Sequence, residues 1–298
     1  MRLFMFIIFI MSSSLLDAKD LPNIPVGIDQ DTFCDIDDRK FGHTVIIIDV
    51  SSALDQAQID YIKGKVFQKS FYNSYPPFTK FSYLLITNDT KPQSQNFIFS
   101  KCRPKSGTKT SFGDDDLHTR DENEVIVEVT YEDFLNEAIA TGDTLMNYYD
   151  SSVPKNEEKS YIYETIAAVF DMNKFDFKSG IMSGYKKGQR DLIVISDMMQ
   201  HTDRLSFYTA CREYNGLLKK STVSKCPPFS KLIEKSSTRD YINATSPKDP
   251  SSSIKMYFLT HRSETTIDLD TSLESLWRDY LRGRNFKRIV FERQLDIQ

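Results

Sequence analysis

Two short stretches carry the residue types from which an oxygen-ligand site could be built. Asp49-Val50-Ser51-Ser52-Ala53 closes one apolar run, and Ser196-Asp197 closes another. Carboxylate and hydroxyl oxygens suit a hard divalent cation such as Mg2+, which keeps several waters and uses one or two carboxylates. Asp49, Ser51 and Asp197 meet that demand if the two runs are neighbouring strands. A second reading uses the same oxygens to cap helices, because Asp and Ser accept backbone N–H bonds at helix N-termini. Both readings stand from the sequence. An acyl-transfer arrangement of Ser51 or Ser196 with His201 is the enzymatic rival. It lacks a Gly-x-Ser-x-Gly elbow and an oxyanion loop.

Other candidates carry less. Asp114-Asp115-Asp116, with Asp121, Glu122 and Glu124, lacks the spacing and glycine of a calcium loop and reads as a solvated charge run. Gly184-Tyr185-Lys186-Lys187-Gly188 is too short for a phosphate-cradling loop. His43 reads as a strand-edge residue, His118 as solvated and His261 as a loop histidine. Asn88-Asp89-Thr90 and Asn243-Ala244-Thr245 are glycosylation sequons in a eukaryotic host.

The elements that must position these residues follow from hydropathy patterns. Thr44 to Asp49 and Asp191 to Ser196 are continuous β-branched apolar runs, the signature of strands covered on both faces. Apolar positions from Leu54 to Phe71 recur at helical spacing up to Pro76-Pro77. Phe81 to Ile86 and Asn96 to Ser100 read as strands, and Tyr131 to Tyr149 and Ser160 to Met172 as helices. A helix over Arg204 to Lys219 follows the second apolar run, and Ile254 to Leu259, Leu273 to Arg282 and Phe286 to Phe291 read as strand, helix, strand. This alternation predicts an α/β fold, a three-layer α/β/α sandwich around a mostly parallel sheet. In such sheets ligands bind beyond the carboxyl ends of the strands.

At this point the pattern resembles a von Willebrand factor type A (VWA) domain of the exported bacterial type. That family's cation site uses Asp-x-Ser-x-Ser, a Thr on a later loop and an Asp in an Ile/Leu-Ser-Asp-Gly turn. Here Asp49 and Ser51 match, and Ala53 stands where the second Ser is usual. Ser160, opening Ser160-Tyr161-Ile162-Tyr163-Glu164-Thr165, takes the place of the Thr. Asp197 matches, and Met198 stands in place of the Gly. Leu273 to Leu281, around Trp277, is similar to the last helix of such proteins. The resemblance spans residues 40–293. It implies a metal set of Asp49, Ser51, Ser160 and Asp197 holding Mg2+ or another divalent cation. It also implies a non-enzymatic adhesion or binding role in which a protein partner supplies an acidic side chain.

Composition sets the outer bounds. A chain of 298 residues buries a sizeable core, and 38 basic against 42 acidic residues with no long Lys/Arg block argue against a nucleic-acid partner. Arg2, the apolar run Leu3 to Met11 and Leu16-Asp17-Ala18 read as a signal peptide over residues 1–18. A retained leader would be the route to a membrane. Residues 19–40 read as an N-terminal extension and 41–298 as the VWA-like domain, with insertions at 103–123 and 219–250. Export places Cys34, Cys102, Cys211 and Cys226 in an oxidising compartment, secreted or periplasmic. Four cysteines permit three connectivities. The closeness of Cys211 and Cys226 around Asn215-Gly216 favours that pair, which leaves Cys34 with Cys102.

Overall fold

The computed structural model describes residues 28–34, 36, 41–88, 97–110, 114–149, 158–171, 190–214, 225–244, 252–259, 267–284 and 286–294. The leader, Gly184 to Gly188, Asn215-Gly216 and His261 lie outside the described residues.

Six strands form one sheet. β1 (His43–Asp49), β2 (Lys80–Ile86), β3 (Phe97–Cys102), β4 (Arg190–Ser196), β5 (Ser253–Phe258) and β6 (Arg288–Arg293) lie in the order β3-β2-β1-β4-β5-β6. All neighbours pair in parallel except β2 and β3, which are antiparallel. The sheet is covered on both faces, as the continuous apolar runs require. Val45 and Ile47 of β1 point into one buried cluster, and Ile46 and Ile48 into another. The chain is thus a three-layer α/β sandwich.

The second of these clusters is built by α1 (Gln56–Val66), α2 (Lys69–Asn73) and α3 (Glu124–Asp143). A single helix is predicted for the first two, but Phe67 leaves helical geometry to stack on Tyr83, with ring centroids 4.7 Å apart. Gly142 of α3 accommodates that ring, since a Cβ there would lie 2.8 Å from it. The helix expected from Tyr131 begins seven residues earlier. Asn123 supplies the reason: its Oδ1 accepts the amides of Val125 and Ile126 at 3.1 and 3.4 Å.

The other face carries α4 (Ile162–Asp171), α5 (Phe207–Tyr214), α6 (Phe229–Leu232), α7 (Ser236–Ala244) and α8 (Ile267–Arg282). α6 and α7 lie within the second predicted insertion, where no regular structure is expected from composition. α8 starts six residues before the predicted Leu273. Disulfides join Cys34 to Cys102 and Cys211 to Cys226, the favoured connectivity. The first fastens the 28–34 segment to β3, and the second ties α5 to the segment that carries α6 and α7.

The acidic stretch after Arg103 is not a solvated run. Asp116 is fully buried, and its carboxylate takes both guanidinium nitrogens of Arg103 at 2.8 and 2.9 Å. Glu122 is buried against Lys105 at 2.9 Å. Asp114 and Asp115 remain exposed. His118 is not fully solvated either, because its ring packs so closely on Gly107 that a Cβ there would lie 2.5 Å from it, at a residue whose φ of +70 also favours glycine. His43 is buried in the interior strand β1, with Nε2 3.0 Å from the Ser82 hydroxyl.

Candidate functional site

β1 has β2 on one side and β4 on the other. The chain winds outward from β1 to β3 and returns to start the other half of the sheet at β4, so the strand order reverses between β1 and β4. Crevices at such a point, beyond the carboxyl ends, are where open α/β sheets bind ligands. Asp49 ends β1 and Ser196 ends β4, one position past the paired Ile48 and Ile195.

Four polar groups converge on the Asp49 carboxylate. Its Oδ1 accepts the Ser51 amide at 3.0 Å and the Ser51 hydroxyl at 2.6 Å. Its Oδ2 accepts the hydroxyls of Ser160 at 2.7 Å and Ser196 at 2.8 Å. Asp49, Ser51, Ser160 and Ser196 are all buried. Asp197 sits beside them, with Oδ1 3.4 Å from the Ser196 hydroxyl, and is partly exposed. Burial pushes the Asp49 carboxyl above the usual carboxylate range and the charge of Asp197 adds to this, while the bonds from Ser51 and Ser160 oppose it.

The capping reading fails for Asp49 and Ser51. The cap of α1 is Asp55, whose carboxylate accepts the Gln58 amide at 2.8 Å while the Gln58 side chain returns to the Asp55 amide at 2.9 Å. Asp49 and Ser51 are therefore free to bind each other. Asp197 does cap its own turn, accepting the Met199 amide at 2.9 Å.

Ser160 reaches the rim through a short antiparallel bridge. Its amide donates to the His201 carbonyl at 2.8 Å, and the His201 amide donates back at 2.9 Å. Buried Gln200 accepts the Tyr163 amide at 2.9 Å and donates to Glu164 at 3.0 Å, locking the start of α4 to the turn after β4. Met198 has a φ of +62, a conformation that favours glycine, yet its side chain is fully buried. The ring of His201 is hydrogen-bonded to the Ser206 hydroxyl at 2.8 Å, and among the described residues it makes no bond to Ser51 or Ser196. Burial lowers the His201 pKa, Lys159 adds to this and Asp203 opposes it.

All four predicted metal-set residues, Asp49, Ser51, Ser160 and Asp197, thus meet at one rim. The sequence offers Ser196 as an oxygen donor beside Asp197 but leaves it outside the metal set, and it gives no site role to Gln200 or Trp277, which hold the turn by hydrogen bonds, because no spacing rule marks a residue whose partner lies far along the chain. It also missed Asp270 in the first turn of α8. Burial raises that carboxyl, Arg293 lowers it, and the charge of Asp197 raises it further.

Among the described residues no group of three or more His, Cys, Asp or Glu forms a metal cage. The donors at this rim are two carboxylates and three hydroxyls. That set fits Mg2+, which completes its octahedron with water, and lacks the nitrogen and sulfur ligands that zinc prefers.

No family model matches the chain, and no curated protein does. Among solved structures it is similar to proximal thread matrix protein 1 of the mussel byssus, with 11% identity and a TM-score of 0.29 over 81% of this chain. The match spans 47% of that protein's chain, and a likeness at this level carries no argument about role.

Proposed function

We propose that the chain is an exported, non-enzymatic binding module of the VWA-like type. Asp49, Ser51, Ser160 and Asp197 would hold a divalent cation, Mg2+ in the first instance. A carboxylate from a protein partner would complete the coordination. One observation carries this reading: two acids and three hydroxyls from separate parts of the chain converge at the point where strand order reverses. A buried carboxylate beside a second one is costly unless a proton or a cation compensates it. The positive φ of Met198, where the resembled family has glycine, also supports the reading. Ala53 departs from that pattern and removes one hydroxyl, which water can replace. Two disulfides fit an oxidising, secreted or periplasmic setting, and no helix among the described residues is long and apolar enough to cross a membrane. The acyl-transfer rival has no observation in its favour, because the Ser51 and Ser196 hydroxyls donate to Asp49 and His201 is bonded to Ser206.

A thermal melt with added Mg2+ or Mn2+ tests the proposal. A ligand at one hundred times its Kd stabilises by about 2.7 kcal/mol, roughly 5 °C for a domain of this size. That rise is expected for the wild type and absent in Asp49→Ala. An unchanged melting temperature in the wild type at saturating cation would overturn the reading.

A further inference from the structure

Beside the strand-end cluster lies a cleft of about 560 Å³, bounded by the turn after β4, by α5 and by the segment carrying α6 and α7. His201 is among its lining residues, and the backbone of His201 is bridged to Ser160, so the cleft adjoins the candidate cation site. The buried part of its lining is uncharged: Thr202, Leu205, Pro227, Leu232 and Thr238. The walls are charged, and cations outnumber anions. Arg204, Lys231 and Lys235 face Asp203 and Glu213, and Lys159 reaches Asp203 from outside the lining.

We propose that this cleft binds an acidic peptide segment of the partner, the stretch of chain flanking the carboxylate that reaches the cation site. The link to the flanking carboxylate rests on the cation reading, whereas the cleft's preference for acidic peptide does not. Charge complementarity is the argument: a cleft of positive balance stands on a chain whose formal charge is -4. The ion pairs already in the walls are easily exchanged. Lys159 and Asp203 meet at 2.8 Å with the aspartate side chain 81% exposed, and Lys235 and Glu213 meet at 3.4 Å with both side chains exposed. Exposed pairs of this kind are weak because solvent screens them, so an incoming carboxylate can take over either ammonium group at little cost. The inserted segment exists in this position because the Cys211–Cys226 disulfide and a hydrogen bond from Tyr241 to Glu164 dock it there. Insertion and cation rim together make one continuous surface.

The test is fluorescence anisotropy with a labelled decapeptide of alternating Asp and Ser, and its Asn-Ser counterpart, in Mg2+ and in EDTA. Binding of the Asp peptide is expected to be about tenfold tighter or more than that of the Asn peptide and to weaken with salt. The double variant Arg204→Glu, Lys231→Glu is expected to lose about tenfold or more while keeping its melting temperature. Asp49→Ala is expected to remove only the Mg2+-dependent gain. Equal affinity for the two peptides, no binding of either, or wild-type affinity in the double variant would each overturn the cleft assignment. If the double variant binds normally while Asp49→Ala does not, the cation site stands and the cleft falls. If the double variant loses binding and neither Mg2+ nor Asp49→Ala has any effect, the cleft stands and the cation site falls.

Discussion

Trp277 holds the turn that carries Asp197: its indole Nε1 donates to the Met198 carbonyl at 3.0 Å, with both side chains fully buried. The last helix therefore fixes a left-handed residue that would otherwise relax. Trp277→Phe removes this bond and leaves the carbonyl with the Gln200 amide alone, at 3.2 Å, at a cost of about 0.5–1.5 kcal/mol beyond the lost packing. Urea unfolding measures the loss, and the cation-induced rise in melting temperature should shrink in the same variant.

Asp49 gives the metal-free protein a specific pH dependence. Its carboxyl is raised in the folded state above its ordinary value, so protons bind the folded chain more tightly than the unfolded one at this group. The resulting stabilisation is present below the unfolded pKa and is lost as pH rises through the folded one. Urea unfolding in EDTA, compared between wild type and Asp49→Asn across mildly acidic to neutral pH, should show the variant gaining relative stability as pH rises. Asn keeps an acceptor for the Ser51 amide, and the Ser160 and Ser196 hydroxyls can accept from its amide nitrogen. The gain at neutral pH is expected to be about 1 kcal/mol or more, from removing a buried charge.

Three consecutive aspartates should behave differently when replaced. Asp116→Ala strands a fully buried Arg103 guanidinium and is expected to cost about 3–5 kcal/mol. Asp114→Ala and Asp115→Ala sit on the surface and should stay within about 0.5 kcal/mol of wild type. Equal effects at the three positions in thermal melts would contradict the buried pair.

The two disulfides close loops of different length, with sequence separations of 68 for Cys34–Cys102 and 15 for Cys211–Cys226. Chain-entropy reasoning assigns them about 4 and about 3 kcal/mol. Replacing Cys211 and Cys226 together by Ser should also weaken the acidic peptide, because the inserted helices lose their covalent tie to α5. The Cys34 and Cys102 pair should change stability without changing that affinity.

Strands buried on both faces were readable because nothing but an apolar, β-branched run satisfies two helix layers. Thr44 to Asp49 and Asp191 to Ser196 could hardly be anything else, and both are observed within one residue of their predicted bounds. Helix starts were harder. The onset of α3 depends on Asn123 and that of α1 on Asp55, single polar residues whose capping role is clear only once the backbone around them is placed.

Which residues could supply oxygens was a matter of local chemistry, so Asp49, Ser51 and Asp197 could be named from type and position, whereas Ser160 came only from the family resemblance. Their meeting depends on strand order. β1 and β4 are separated by about half of the chain, and only hydrogen bonding across the sheet brings the Asp49 carboxylate within 2.8 Å of the Ser196 hydroxyl. The same holds for Asp116, whose composition suggested solvent and whose partner Arg103 drew it inside. Periodicity reports which face of an element is buried, because burial acts on each residue separately. Pairings between distant polar groups are settled by packing, because their energy depends on the distance and the surroundings that folding creates.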